Sequence, residues 1–179
     1  RHPKIEEHLI DLFELEKQQH LFIADEVFCC IGTTKAKTPN EEQYLKIDYA
    51  IPATLAQLCK KMGIHTLLVI SALGANKNSK IFYNRTKGRM EEEVLRNKIK
   101  NTYILQPSLI GGSRNEKRLG EKIAKLFMSI LNLFLIGSLK KYRSIHPETI
   151  AKAMIWLANN DYKSRRIPSN EIQQIAVSL

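Results

Sequence analysis

Tyr83 and Lys87 stand four residues apart in the basic run KIFYNRTKGRM, residues 80–90. On a helix that spacing is about one turn, so the phenol and the ammonium share a face. A phenol titrates near pH 10 and is a poor acid or base at neutrality, but a neighbouring ammonium favours the phenolate and lowers that value. The pair is therefore a candidate for proton transfer. The pattern is also cheap, because the six tyrosines of this composition give about 0.6 chance matches per chain. Its weight depends on which other residues the chain brings to the same place.

Ser71 is the first of these. It ends the apolar run IHTLLVIS (Ile64 to Ser71) 12 residues before Tyr83, and such a run reads as a buried strand. In a parallel sheet the ligand crevice lies at the carboxyl ends of the strands. The strand-end positions are Asp11, Gly32–Thr33–Thr34, Ser71 and Pro107–Ser108. A serine at that edge can hydrogen-bond a substrate oxygen on which charge develops, and the lysine can also hold a ribose.

The elements that must position them alternate. Glu7 to Leu12 (EHLIDL) and Asp25 to Gly32 (DEVFCCIG) read as strands, the second apolar enough for burial on both faces. Thr38–Pro39 caps a helix toward Met62, with Tyr44, Ile47, Ile51, Leu55 and Leu58 at helical spacing, a kink at Pro52 and a stop at Gly63. A helix bearing Tyr83 runs to about Asn97, and Thr102 to Pro107 (TYILQP) is a further strand. Leu119 to about Gly137 is helical, His146–Pro147 opens a helix through Asn160, and Ser169 caps a last short one. Strand and helix in alternation predict an α/β fold, a mainly parallel sheet with helices on both faces. The 179 residues read as a single domain, with residues 108–179 contributing the substrate-side helices.

Bulk properties narrow the classes. Hydrophobic residues at 44% against 26% charged fit a globular chain with one core. Three cysteines without metal-ligand spacing argue for buried thiols in a reducing cytoplasm rather than a disulfide framework. The longest uncharged stretch, Leu126 to Leu139, has 14 residues and is too short to span a bilayer, and no charged-then-apolar leader opens the sequence. A net charge of +10 would suit a polyanion, yet the basic residues are scattered and lack interleaved aromatics, so no nucleic acid is expected. His146 reads as the start of a helix, with no metal site around it. Glu91–Glu92–Glu93 reads as a solvated helix face offsetting Arg89 and Arg96. Arg114, Lys117 and Arg118 read as a basic loop near the substrate mouth, and Phe127, Leu131 and Phe134 as core or pocket lining.

Ser71, Tyr83-x-x-x-Lys87 and the strand–helix order resemble the short-chain dehydrogenase/reductases. Four successive blocks, DEVFCCIGTTKAK, VISALGANKNSKIFYNRTKGRMEEEV, YILQPSLIGGSRNEKRLGE and IHPETIAKAMIWLA, are similar to the atypical branch that includes the Tat-interacting-protein-like oxidoreductases. The resemblance implies a Rossmann-type, doubly wound fold, binding of NADP or NAD, a small carbonyl or alcohol substrate, and a catalytic trio of Ser71, Tyr83 and Lys87. It places Asp11 near the adenine, Gly32, Thr33 and Thr34 along the cofactor, Tyr83 and Lys87 at its ribose, and Pro107 beside the nicotinamide. By family analogy it also implies a homodimer. Two positions depart from the pattern: Ala72 stands where a second serine is common, and Ser108 follows Pro107 where the family has glycine. The glycine-rich turn of the first βαβ segment is absent from these residues, which leads to the expectation of a native chain about 35 residues longer. The alternative function is a dinucleotide-binding regulator or scaffold on the same fold, without turnover.

Overall fold

The computed structural model describes residues 2–111 and 142–178. Four strands, β1 (Glu26–Cys29), β2 (Thr66–Ile70), β3 (Asn101–Gln106) and β4 (Arg166–Pro168), pair in the order β1-β2-β3-β4 and are all parallel. The register sets Val27 beside Leu67, Leu67 beside Thr102 and Leu105 beside Ile167. Successive strand residues point to opposite faces, and here each face meets helices. Leu67, Val69 and Ile104 join one core with helices α2 (Ile51–Lys61) and α3 (Phe82–Arg96). Leu68, Tyr103, Leu105 and Ile167 join a second core with α4 (Pro147–Asn159) and α5 (Ser169–Val177). Each fully buried leucine or isoleucine contributes about 1.5–3 kcal/mol. Truncating Leu68 or Ile104 to alanine would remove that and leave a cavity besides.

The helix before β2 is not regular. Asn40, rather than Thr38, caps α1 (Glu41–Leu45), accepting the Gln43 N–H at 2.9 Å. A wide π-helical turn, Lys46–Ala50, follows, in which the Ile51 N–H bonds Lys46 O five residues back. Pro52 then sits in the first turn of α2, where its missing N–H costs little. The expected kink thus takes the form of a wide turn just before the proline. Gly63 ends the segment with φ +71°, a left-handed conformation that glycine adopts freely.

Several expectations are corrected. Glu7 to Leu12 forms no strand: β1 pairs only with β2 among the described residues, and Asp11 instead caps a 3-10 helix, Leu12–Leu21. β1 is not buried on both faces, since α4 and α5 lie across β2 to β4 and leave Phe28 42% exposed. β4 was not foreseen; three residues ending in a proline carry too little pattern to read. Ser169 is buried within α5 rather than capping it, and Pro168 holds the cap position. Cys29 and Cys59 are buried free thiols as expected, but Cys30 is exposed. His146 does precede α4 as its N-terminal boundary. No described helix is long and apolar enough to cross a membrane, and no described cluster has metal-ligand character. The helix expected over Leu119 to Gly137, the apolar stretch Leu126 to Leu139, the basic group Arg114, Lys117 and Arg118, and Phe127, Leu131 and Phe134 lie outside the described residues.

Candidate active site

Beyond the carboxyl ends of β2 and β3 the two chains stay together, with the Ser71 N–H bonding Leu105 O at 2.7 Å and the Leu73 N–H bonding Pro107 O at 2.9 Å. Residues 71–74 and 107–110 thereby become walls of a cavity of about 820 Å³, which Tyr83 and Asn84 of α3, Thr34 of the loop after β1, and Tyr142 complete. Four of the expected site residues, Thr34, Ser71, Tyr83 and Pro107, share this cavity. Phe82 pins the start of α3: Tyr44 meets its ring edge-on at 5.4 Å and Lys35 Nζ lies 4.7 Å above it.

Lys87 lies one turn beyond Tyr83, 4% exposed, and its Nζ is 2.7 Å from Asp48 Oδ1. Asp48 projects from the π turn, and its other oxygen accepts the Thr33 N–H at 2.8 Å. Asp48 Oδ1 meets the ammonium as an ionic contact without a directed hydrogen bond among the described residues. Gly32 passes close by; a Cβ there would lie 3.4 Å from Asp48 Oδ1 and 3.6 Å from Lys87 Nζ. Gly32, Thr33, Asp48 and Lys87 are thus one cluster at the rim of β1. Asp11 is elsewhere: it is exposed, accepts the Phe13 N–H at 2.8 Å, and does not line the cavity.

The electrostatics correct one expectation. Burial pushes the Tyr83 phenol above its ordinary value, and the negative charge of Asp48 pushes it further the same way. The ammonium that was to lower it is held against that carboxylate. Tyr44 is driven up as well, by burial first and then by Asp48 and Tyr83.

Glu91 is the second departure, because it is no solvated residue. It is 1% exposed and accepts from Ser71 Oγ at 2.5 Å, from Gln106 Nε2 at 2.9 and 3.1 Å, and from Arg166 Nε at 2.7 Å. Glu92 and Glu93 do pair at the surface, with Lys77 and Arg166, and with Arg96. The sequence held signals for both buried acids. Tyr83, Lys87 and Glu91 repeat at intervals of four, and Asp48 interrupts the apolar stripe of Tyr44, Ile51 and Leu55, where a carboxylate needs a partner.

No family model matches the chain. It spans about half to two thirds of the length of the curated relatives it matches. It is 31% identical over 134 residues to the mitochondrial protein FMP52 of Debaryomyces hansenii, covering 74% of this chain and 58% of that one. It is 34% identical to the mitochondrial protein fmp52 of Aspergillus niger, covering 69% and 53%. Among solved structures, the ADP-L-glycero-D-manno-heptose-6-epimerase of Helicobacter pylori superposes with a TM-score of 0.63 over 94% of this chain and 63% of its own, at 15% identity. The fold is Rossmann-like. A dTDP-4-dehydrorhamnose reductase from Bacillus anthracis, solved with NADP, shares this Rossmann-like fold with a TM-score of 0.52, at 15% identity, over 90% and 73%. The likeness to this epimerase and this reductase is one of fold, while the relatives carry the FMP52 name rather than that of the Tat-interacting-protein group. The expected cytoplasmic location is overturned, since those relatives are named mitochondrial. Free thiols fit any reducing compartment, so cysteine usage alone does not single out the cytoplasm.

Proposed function

We propose that this chain is part of an NAD(P)-dependent oxidoreductase of the short-chain dehydrogenase/reductase type, acting on a small carbonyl or alcohol, with kinship to the Tat-interacting-protein-like group. The observation that carries this reading is the arrival of Ser71 and Tyr83 at one cavity, with Lys87 a single turn beyond Tyr83 on the same helix. The described residues suit the nicotinamide end of a dinucleotide. Gly32 lets the loop after β1 pass close over Lys87 and Asp48, since a Cβ there would already touch both, and Thr34 and Pro107 line the cavity beside Tyr83. When bound, the dinucleotide supplies or takes up the hydride.

The residues of the chain manage the proton and the orientation. The Tyr83 phenol is protonated at neutral pH, and burial and Asp48 push it further that way; this is the form that gives a proton to a carbonyl oxygen during reduction. Lys87 offers its remaining donors to ribose hydroxyls, and Asp48 fixes where that ammonium stands. Ser71 meets the substrate oxygen from the end of β2. Asp11, outside the cavity, would serve only the distant adenine end. Tyr83→Phe should abolish turnover and leave dinucleotide binding nearly intact; equal loss of both would overturn the assignment.

A second reading, a dinucleotide-binding regulator without turnover, is favoured by one observation: the charge of Lys87 is matched by Asp48, which leaves Tyr83 without a free activating cation. Dinucleotide binding with no cofactor oxidation across aldehydes, ketones and quinones would select it.

A further inference from the structure

Glu91 lies one turn beyond Lys87 and two beyond Tyr83 on α3, so a phenol, an ammonium and a carboxylate follow one another along one helix face. The carboxylate is ringed by donors. Arg166 reaches it from β4, Gln106 from the end of β3, and Ser71 Oγ from the end of β2. An ionised carboxylate only accepts hydrogen bonds, and a serine hydroxyl owns a single proton. With Oγ 2.5 Å from Glu91 Oε1, that proton is committed to the carboxylate. Ser71, 4% exposed, nevertheless lines the cavity, and a contact of its oxygen with a ligand there has only the lone pairs to use.

We propose that Glu91 is a positioning residue that fixes Ser71 as a hydrogen-bond acceptor, so that the cavity selects ligands presenting a hydroxyl at this point. The ligand class is an alcohol, or a carbonyl compound carrying a neighbouring hydroxyl, in preference to a bare carbonyl or an ether. A carbonyl oxygen has no proton to give and finds its donor in Tyr83 instead. The division of labour is chemical: Tyr83 donates and Ser71 accepts. Arg166 makes the arrangement durable, because its Nη2 also holds Glu92 at 2.9 Å and so ties β4 to α3 at two neighbouring carboxylates. This inference rests on the cavity proposed above as the substrate site, but not on turnover.

The test is binding of benzyl alcohol and of benzyl methyl ether to the whole chain, followed by NMR chemical-shift titration without cofactor. The alcohol should bind about tenfold more tightly, the effect of one net hydrogen bond. In Glu91→Gln the amide can donate to Ser71 Oγ and release its proton toward the cavity, so the preference should fall to about one. Ser71→Ala should remove it equally and serves where Glu91→Gln fails to fold. Equal binding of the two probes to the native chain, no binding of either, or a preference that survives these variants would overturn the proposal. An inactive chain that still prefers the alcohol keeps this inference and loses the oxidoreductase reading; an active chain with no preference loses this inference alone.

Discussion

Replacing Asp48 by asparagine removes a charge and almost nothing else. The amide keeps an oxygen able to accept the Thr33 N–H, so the loop contact at 2.8 Å survives the change. Lys87 loses its counter-charge in a place where its side chain is 5% exposed and that of Asp48 is 1% exposed. Breaking such a pair from one side costs about 3–5 kcal/mol, because the remaining ion stays buried without compensation. Against a typical domain stability of roughly 5–15 kcal/mol, that is about a fifth of the total or more. Urea denaturation reads it as a lower midpoint with the slope unchanged. The companion variant Lys87→Met should cost a similar amount, and the double variant should lose less than the sum, by about 1–3 kcal/mol. Losses below about 1 kcal/mol for Asp48→Asn, or strict additivity, would mean that the pair behaves like a solvent-screened surface pair and would refute the description of the cluster. Where the variant folds, the phenol of Tyr83 is relieved of one of the two influences that raise it. On the proposed oxidoreductase function, the pH at which alcohol oxidation switches on should then move down, as less alkaline conditions suffice to make the phenolate.

Two further outcomes test the packing. Gly88→Ala would place a Cβ 2.2 Å from Lys77 N and 2.3 Å from Asn76 C; the gain in helix propensity should be outweighed by a packing cost of about 1–3 kcal/mol, and a variant as stable as the parent in thermal unfolding would contradict that contact. Burial pushes Cys29 from 9.0 to about 11 and Cys59 from 9.0 to about 12. Since the folded chain holds protons that the unfolded chain releases, this stability is whole below pH 9 and is lost as pH climbs toward 11, on the order of 3 kcal/mol for Cys29 alone. Unfolding measured from pH 8 to 11 should therefore show a shallower decline for Cys29→Ala than for the parent, and parallel declines would count against the burial.

What the sequence revealed follows from the reach of each signal. β2 and β3 were legible because both their faces are buried, which writes continuous apolar runs such as TLLVI. α3 and α4 were legible because Tyr83 to Asn97 and Pro147 onward carry helical periodicity and a proline start. Ser71 and Tyr83 could be paired because one strand end and one helix start are fixed by the fold. Asp48 and Glu91 escaped because a buried carboxylate looks like a surface one until its partners are known, and those partners, Lys87, Ser71, Gln106 and Arg166, are up to 75 residues away. The segment from Glu7 to Leu12 was misread because strand-like composition does not provide a neighbour to pair with.

The wide turn at Lys46–Ala50 makes the length of this helix a matter of single residues. It carries one residue more than a regular spiral needs, so a deletion within it would leave an ordinary helical turn and keep the faces before and after it in phase, but would remove the bulge that carries Asp48. Tyr44 and Leu55 would keep their directions, and what would be lost is the placing of Asp48 between Lys87 and the Thr33 N–H. Homologous chains should therefore tolerate changes of residue type in this turn far more readily than a change in its count.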